Sequence, residues 1–178
     1  LQALLRNPLK GSRPDMLQLI DIISEQGVMA SLQASTREEA VYMMLERLVD
    51  SKRIDANKLD DLCVEIIKRE TLGTTGIGHG VAIPHIKTDA VSDFVGVLAV
   101  SEDGVNFNSI DSAPVNVIIL FLSPSHAVSG HLQLLSHIGG ILRHQGYISL
   151  LKEAKTETDL TSLVKDAERM IFGIGPGG

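Results

Sequence analysis

An almost unbroken apolar run, Val115–Leu122 (VNVIILFL), places the strongest constraint on how this chain folds. In an extended strand alternate side chains point to opposite faces, so this run presents apolar groups on both. Such runs are typical of strands that helices cover on both faces. The uncharged apolar stretch 113–122 is only about half as long as a membrane-spanning helix requires. The sequence therefore predicts a central, doubly covered strand.

Helical and extended patterns surround this strand. The segment Thr36-Arg-Glu-Glu39 is a capping box, and apolar residues follow it at helical spacing. Asp55 is expected to cap a second helix, which ends near Arg69-Glu70. Further helices are predicted at 16–24, 131–143 and 158–170, and strands at 28–33, 81–83 and 94–100 with a turn at 103–104. These elements predict an α/β fold in which helices lie on both sides of a small sheet.

The whole chain is expected to form one domain, because its 178 residues suit one well-buried core and no composition break divides them. The domain is predicted to span residues 16–172. Residues 1–15, with two prolines and a Gly-Ser pair, are interpreted as an N-terminal tail or linker, and residues 173–178 as a flexible C-terminal end.

Composition narrows the possible functions. The formal net charge is −6 and the lysines and arginines are scattered, so neither nucleic-acid binding nor direct membrane insertion is expected. Cys63 is the only cysteine, which argues against a disulfide framework and fits a reducing cytoplasm. It lies in a helical pattern, so it is predicted to be a core residue rather than a nucleophile.

The segment GIGHGVAIPH, residues 76–85, carries the strongest functional signal. Pro84 has a fixed φ and keeps the preceding residue extended, so His85 is predicted to be presented at the end of a short strand. Upstream, Gly76, Gly78 and Gly80 could let backbone amides approach an anion. Arg69 lies where a helix is predicted to end and could supply a phosphate partner. An imidazole, backbone donors and an arginine together suggest a phosphoryl acceptor.

The other histidines leave alternatives open. His131 falls on the inward stripe of a predicted helix, in its first turn, which suits either an anion site or a satisfied core histidine. His79 lies among the glycines and could line the site, whereas His137 and His144 are expected at the surface. A zinc site of His79, His85 and His131 would lack a close-spaced ligand pair, so no metal is predicted. No G-x-S-x-G elbow or Walker loop is present.

The run RETLGTTGIGHGVAIPH resembles the signature of the type-2 enzyme IIA domains of the bacterial phosphoenolpyruvate-dependent sugar phosphotransferase system, the fructose, mannitol and nitrogen-regulatory class. In that family the final histidine of the run is phosphorylated, and it corresponds to His85. The family's active-site arginine corresponds to Arg69, and its second active-site histidine, within HLQLL, to His131. The segments TREEA and FNSIDSAPVNVIILFLSP are also similar to family segments.

The resemblance implies a mixed β-sheet flanked by helices and a phosphocarrier that needs no cofactor. A carrier protein similar to HPr would phosphorylate His85, and the phosphohistidine would pass its group to the cysteine of an enzyme IIB domain. Arg69 and His131 would steady the phosphoryl oxygens, so their side chains should converge with His85 on one shallow pocket. The alternative is a regulatory, nitrogen-type module that binds target proteins according to its phosphorylation state. Two residues depart from the family pattern, His79 for a frequent Asn and Ile86 for a small residue.

Overall fold

A computed structural model describes residues 17–23, 26–144 and 146–173. The predicted N-terminal tail, 1–15, lies outside the described residues, as does the predicted C-terminal end from 174 onward. Among the described residues, no helix combines the length and the apolar character needed to cross a bilayer.

The strands form one mixed six-stranded sheet in the order β1-β5-β6-β3-β2, with β4 also paired to β6. β6 pairs antiparallel with β5 on one side and parallel with β3 and β4 on the other. The strands are β1 (Val28–Met29), β2 (Gly76–Gly78), β3 (Val81–Ala82), β4 (His85–Thr88), β5 (Val95–Val105) and β6 (Val115–Pro124).

Helices cover both faces of this sheet. Alternate residues of β6 divide between two apolar clusters: Phe121 belongs to one and Leu122 to the other. The first cluster includes residues of α1, α4, α5 and α6, and the second includes residues of α2 and α3. The predicted α/β fold with a doubly covered central strand is therefore confirmed. The helices are α1 (Leu19–Ile23), α2 (Arg37–Asp50), α3 (Leu59–Thr71), α4 (Val128–Leu142), α5 (Tyr147–Glu153) and α6 (Glu157–Phe172).

The predicted capping residues account for two of the helix starts. The capping box at Thr36 and Glu39 is formed, with each side chain accepting the other residue's amide. Asp55 instead caps a single 3₁₀ turn, Ala56–Lys58, from which α3 continues. The short helix α5 was not predicted.

The region around Pro84 corrects one strand prediction. The predicted strand 81–83 pairs only over β3, and His85 is the first residue of β4 rather than a residue at the end of β3. Both short strands lie along the same edge of β6, and the amide of Phe121 donates to the carbonyl of Pro84 between them. Because Pro84 has no amide hydrogen, it interrupts pairing at this point without ending the extended chain.

The glycine-rich segment is a hairpin rather than an open loop. β2 and β3 pair antiparallel, and the two residues of the turn, His79 and Gly80, have φ values of 55° and 76°. Positive φ at both positions is the requirement of a tight type I′ turn. The carboxylate of Asp111 accepts the amide of His79 at 2.9 Å, which anchors the tip.

Four smaller predictions also need correction. The first strand is paired over Val28–Met29 rather than 28–33, and β5 continues through the predicted turn at 103–104. Cys63 is half-buried at the margin of the second cluster. His137, expected at the surface, is buried, and its Nε2 lies 2.9 Å from Oε1 of Glu168. His144 lies beyond the end of α4 and is exposed, as expected.

Replacing Gly80 with alanine is expected to lower the free energy of unfolding by about 1–2 kcal/mol, because a Cβ is disfavoured at positive φ. The added Cβ would also lie 3.2 Å from Oδ1 of Asn116. The matched control is Gly73→Ala, whose Cβ meets no atom within 4 Å. Urea denaturation of both variants measures the difference. Equal stabilities would contradict the assigned turn.

Candidate functional site

His85 lies at the edge of the sheet, on the face covered by α4. Its register partner on β6 is Phe121, and parallel partners point to the same face. The two rings stack with centroids 5.4 Å apart and an interplanar angle of 12°. The contact with Phe121 therefore defines the plane in which the imidazole can lie.

A backbone hydrogen bond determines the protonation of this imidazole. Nδ1 of His85 lies 2.6 Å from the carbonyl oxygen of Ile83. A carbonyl oxygen can only accept, so Nδ1 must carry the hydrogen. In the neutral ring Nε2 then carries the lone pair, and among the described residues no protein group bonds to it. His85 therefore presents an unprotonated nitrogen.

The surroundings of His85 favour the neutral form. Burial is the main cause that lowers its pKa below the ordinary value, and the charge of Arg69 acts in the same direction. The bond to Ile83 and the charge of Glu70 oppose this shift without reversing it. Because the neutral form dominates, the Nε2 lone pair is available near neutral pH.

His131 lies beside His85, near the start of α4. The centroids of the two imidazoles are 5.3 Å apart, and the ring of Phe121 is 5.2 Å from that of His131. Nδ1 of His131 is 2.6 Å from Oγ of Ser123. Burial lowers the pKa of His131 to about 4, with further contributions from the charges of His85, Lys87 and Arg69.

Arg69 lies in the last turn of α3, in the opposite layer from α4. Its Nη1 donates to the carbonyl of Gly73 at 2.8 Å, and its charge lowers the pKa of both His85 and His131. The next residue, Glu70, is buried and accepts both the amide and the hydroxyl of Thr75. These bonds fix the end of α3 against the chain that leads into β2. The structure thus brings His85 and His131 together, and the charge of Arg69 acts on both.

Lys87 and Ser123 were missed by the sequence analysis. They are register partners on β4 and β6, two residues beyond His85 and Phe121 and therefore on the same face. Lys87 is exposed and its charge acts on His131. Two-residue spacing from His85 would have indicated Lys87, had β4 been recognised as a strand.

The structure does not bring the glycine-rich hairpin to these histidines. The amides of Gly78 and His79 donate to Ser109 and Asp111, and that of Gly76 donates to Thr74. The carbonyl of Gly80 accepts from Asn116, which lies about 16 Å from Phe121 along β6 at about 3.3 Å per residue. Gly76, Gly78, His79 and Gly80 therefore form a hairpin in which the amides of the first three are bonded within the protein, and their contact with a phosphate stays a prediction.

Two further features bear on the site. Ile86 belongs to the opposite apolar cluster, so it packs under α2 and α3 and does not narrow access to His85. Among the described residues, no three His, Cys, Asp or Glu side chains are grouped as a metal ion would require. The arrangement is instead a neutral imidazole with an open nitrogen beside a second imidazole, and the charges of Arg69 and Lys87 act on this pair. Such an arrangement suits a group that carries negative charge.

Arg69→Gln is expected to raise the pKa of both His85 and His131, because the arginine's positive charge disfavours each imidazolium. NMR titration of the histidine ring protons measures both values. Arg143→Gln, an exposed position at the end of α4, should leave them unchanged. Unaltered values in Arg69→Gln would show that the arginine lies too far away to act.

The stability of the fold should depend on the titration of His131. Because its folded pKa is about 4 against 6.5 for an unperturbed histidine, the unfolded chain binds the proton first as the pH falls. The stability that the neutral form of His131 contributes to the folded state is complete above pH 6.5 and is lost as the pH falls towards 4. The loss amounts to up to about 3 kcal/mol.

Denaturation of wild type, His131→Gln and His144→Gln at several pH values tests this dependence. His131→Gln should flatten the decline in the free energy of unfolding between pH 6.5 and pH 4, relative to wild type. His144 is exposed, so its replacement should leave the decline intact. Parallel curves for wild type and His131→Gln would contradict the lowered pKa.

Comparison with known proteins identifies the family. The family model described as phosphoenolpyruvate-dependent sugar phosphotransferase system, EIIA 2, matches residues 21–167. The chain is 33% identical over 132 residues to the PTS system fructose-specific EIIA component of Haloferax volcanii, covering 74% of this chain and 84% of that protein. It is also 25% identical over 148 residues to a nitrogen regulatory protein of Bradyrhizobium diazoefficiens, covering 83% of this chain and 95% of that protein.

Solved structures show the same fold. The nitrogen regulatory protein IIA-Ntr from Neisseria meningitidis superposes with a TM-score of 0.72 at 22% identity, covering 81% of this chain and 97% of that chain. Enzyme IIAMtl from Escherichia coli, solved in complex with phosphorylated enzyme IIBMtl, superposes with a TM-score of 0.65 at 20% identity, covering 78% of this chain and 94% of that chain. Together with the matched family model, these similarities show that the chain belongs to the EIIA type-2 family of the phosphoenolpyruvate-dependent sugar phosphotransferase system.

Proposed function

We propose that the protein is a phosphocarrier in which Nε2 of His85 accepts a phosphoryl group and passes it to a second protein. The observation that carries this proposal is the hydrogen bond from Nδ1 of His85 to the carbonyl of Ile83. It leaves the Nε2 lone pair unprotonated, and the lowered pKa keeps the ring neutral. A neutral imidazole with an open nitrogen can act as a nucleophile toward phosphorus.

The transfer exchanges one phosphorus–nitrogen bond for another. The lone pair of Nε2 attacks the phosphorus of a phosphohistidine on a carrier protein similar to HPr. The bond between phosphorus and the donor nitrogen breaks, and its electron pair returns to the donor ring. His85 keeps its Nδ1 hydrogen on the Ile83 carbonyl throughout. No metal or cofactor is needed, because positioning and charge stabilisation supply most of the catalysis.

Three side chains would stabilise the transferred group. Arg69 and Lys87 supply permanent positive charge, and His131 lies 5.3 Å from the reacting ring. The start of α4 adds a partial positive charge on the same side, because helix N-termini favour anions. In this proposal neither the cations nor His131 is consumed, and each acts on the phosphoryl oxygens during both transfers.

A docking surface for the two partners surrounds the histidines. Val128 and Leu132 lie one helical turn apart on α4, on either side of His131 in sequence, with exposed fractions of 48% and 62%. Exposed apolar side chains beside charged residues are typical of protein interfaces. We propose that the phosphorylated donor and the acceptor, the cysteine of an enzyme IIB domain, use this surface in turn. Both steps would take place in the cytoplasm.

A second candidate is a regulatory module that binds target proteins according to the phosphorylation state of His85. It is supported by the similarity to nitrogen regulatory proteins, which stands beside the similarity to a fructose-specific component. Both functions require the same phosphorylatable site, so its residues do not choose between them. A domain spanning residues 16–172 serves either function, and the family model matches 21–167 within that range.

Incubation with phosphoenolpyruvate, enzyme I and HPr tests the proposal. Wild type is expected to gain one acid-labile phosphoryl group by intact mass, and His85→Gln should gain none. His144→Gln, at an exposed position away from the site, serves as the matched control and should behave as wild type. Phosphorylation of His85→Gln would show that another residue is the acceptor. If wild type stayed unphosphorylated with its cognate donor, the proposed phosphocarrier function would be wrong.

A further inference from the structure

We propose that a buried clamp positions both the phosphoryl acceptor and its arginine for transfer. The clamp consists of the two hydrogen bonds that join the side chain of Glu70 to Thr75. The inference rests on the proposed function, because it assigns a role within that transfer to residues that take no part in the bonds exchanged. Glu70 and Thr75 are positioning residues, which act on the site through the backbone.

The clamp is short and buried. The amide of Thr75 donates to Oε2 of Glu70 at 2.8 Å, and the hydroxyl of Thr75 donates to Oε1 at 2.7 Å. The exposed fractions of Glu70 and Thr75 are 3% and 5%. Hydrogen bonds to a carboxylate are stronger than those between neutral groups, and a buried polar group that loses its partner destabilises the fold. The two ends of the segment 70–75 are therefore held together.

One branch of the clamp leads to the acceptor. The amide of Ile83 donates to the carbonyl of Thr75 at 3.1 Å, and the carbonyl of Ile83 accepts Nδ1–H of His85 at 2.6 Å. These two groups of Ile83 flank one Cα, and Pro84 keeps that residue extended. Because Thr75 holds the amide of Ile83, the direction of the Ile83 carbonyl is fixed as well. The clamp thereby determines which nitrogen of His85 stays open.

The other branch leads to the arginine. Gly73 lies inside the segment that the clamp closes, and its amide donates to the carbonyl of Glu70 at 3.2 Å. The carbonyl of Gly73 accepts Nη1–H of Arg69 at 2.8 Å. The position of this carbonyl therefore determines where the guanidinium charge lies. A misplacement of about 1 Å at either the acceptor or the arginine can cost about 10²-fold in rate.

Long-range ¹H–¹⁵N NMR of the histidine rings tests the first branch without any phosphoryl transfer. Wild-type His85 should show the Nδ1–H pattern, and Thr75→Val, which keeps the shape but lacks the hydroxyl, should shift the ring toward a mixture of tautomers. Thr75→Ser should restore the wild-type pattern. The matched control is Thr71→Val, because the hydroxyl of Thr71 donates to the carbonyl of Lys68 at 2.7 Å, outside the clamp. A folded Thr75→Val with the wild-type pattern would overturn the inference.

Glu70→Gln and Glu70→Leu separate positioning from charge, because the charge of Glu70 also acts on His85. Glutamine keeps an acceptor for the amide of Thr75, and its own amide group can donate to the Thr75 hydroxyl, so the clamp is retained without the charge. Leucine removes both bonds. At saturating phosphorylated HPr, the rate of transfer should fall about 10²-fold in Glu70→Leu and stay near the wild-type value in Glu70→Gln. Equal losses in the two variants would overturn the positioning role.

The donor concentration that gives half the maximal rate should stay unchanged in every variant, because the buried clamp offers no group to a partner. A higher half-saturating concentration with an unchanged maximal rate would also overturn the inference. Thermal denaturation establishes which variants fold. If Glu70→Leu does not fold, Thr75→Val serves for the rate as well, and Thr75→Ser should recover its loss. Failure of wild type to be phosphorylated would reject the proposed function, and the histidine NMR would still decide whether the clamp positions His85.

Discussion

The burial of β6 on both faces is the constraint on which the rest of the structure depends. Its alternate side chains seed two separate apolar clusters, one under α2 and α3 and the other under α1, α4, α5 and α6. Its backbone pairs with β5 along one edge and with β3 and β4 along the other. The same strand supplies the floor of the site, because Phe121 and Ser123 emerge at its end as partners of His85 and Lys87. The strand β6 therefore supports both the apolar core and the candidate site.

Two hydrogen bonds at the end of this strand distinguish histidines that are otherwise alike. One ring donates to a backbone carbonyl and keeps an open lone pair, and the other shares a 2.6 Å hydrogen bond with a buried hydroxyl. Burial lowers the pKa of both rings, so both favour the neutral form. Positive charge is supplied separately, by Arg69 from one layer and Lys87 from the sheet. In the proposed function, this division lets a neutral nucleophile act within a cationic environment.

The sequence was informative where one local signal had one physical meaning. The apolar run predicted the central strand, and the Thr36–Glu39 box predicted the start of α2. The motif also led to His85 and His131, whose rings lie 5.3 Å apart in the fold. It was least informative where tertiary contacts decide. β4 is too short to show alternation, and it is a strand because β6 offers an edge beside it.

The glycines of residues 76–80 also show that tertiary contacts could not be read from the sequence. Their spacing suited a phosphate loop and a hairpin equally well, and Ser109 and Asp111, more than thirty residues away, accept the amides that a phosphate would need. Ser123 could not be recognised either, because its contact with His131 depends on a helix that returns over the sheet. His137 was misplaced since the acid that pairs with it, Glu168, lies on α6.

The most direct measurement for the central claim is the identity of the nitrogen that carries phosphorus. ¹⁵N-labelled histidine in the phosphorylated protein distinguishes the two positions through phosphorus–nitrogen coupling. The bond to Ile83 occupies Nδ1 of His85, so the account predicts the phosphoryl group on Nε2 with the Nδ1 hydrogen retained. A phosphoryl group on Nδ1 would contradict it, because that atom could then no longer donate to the backbone.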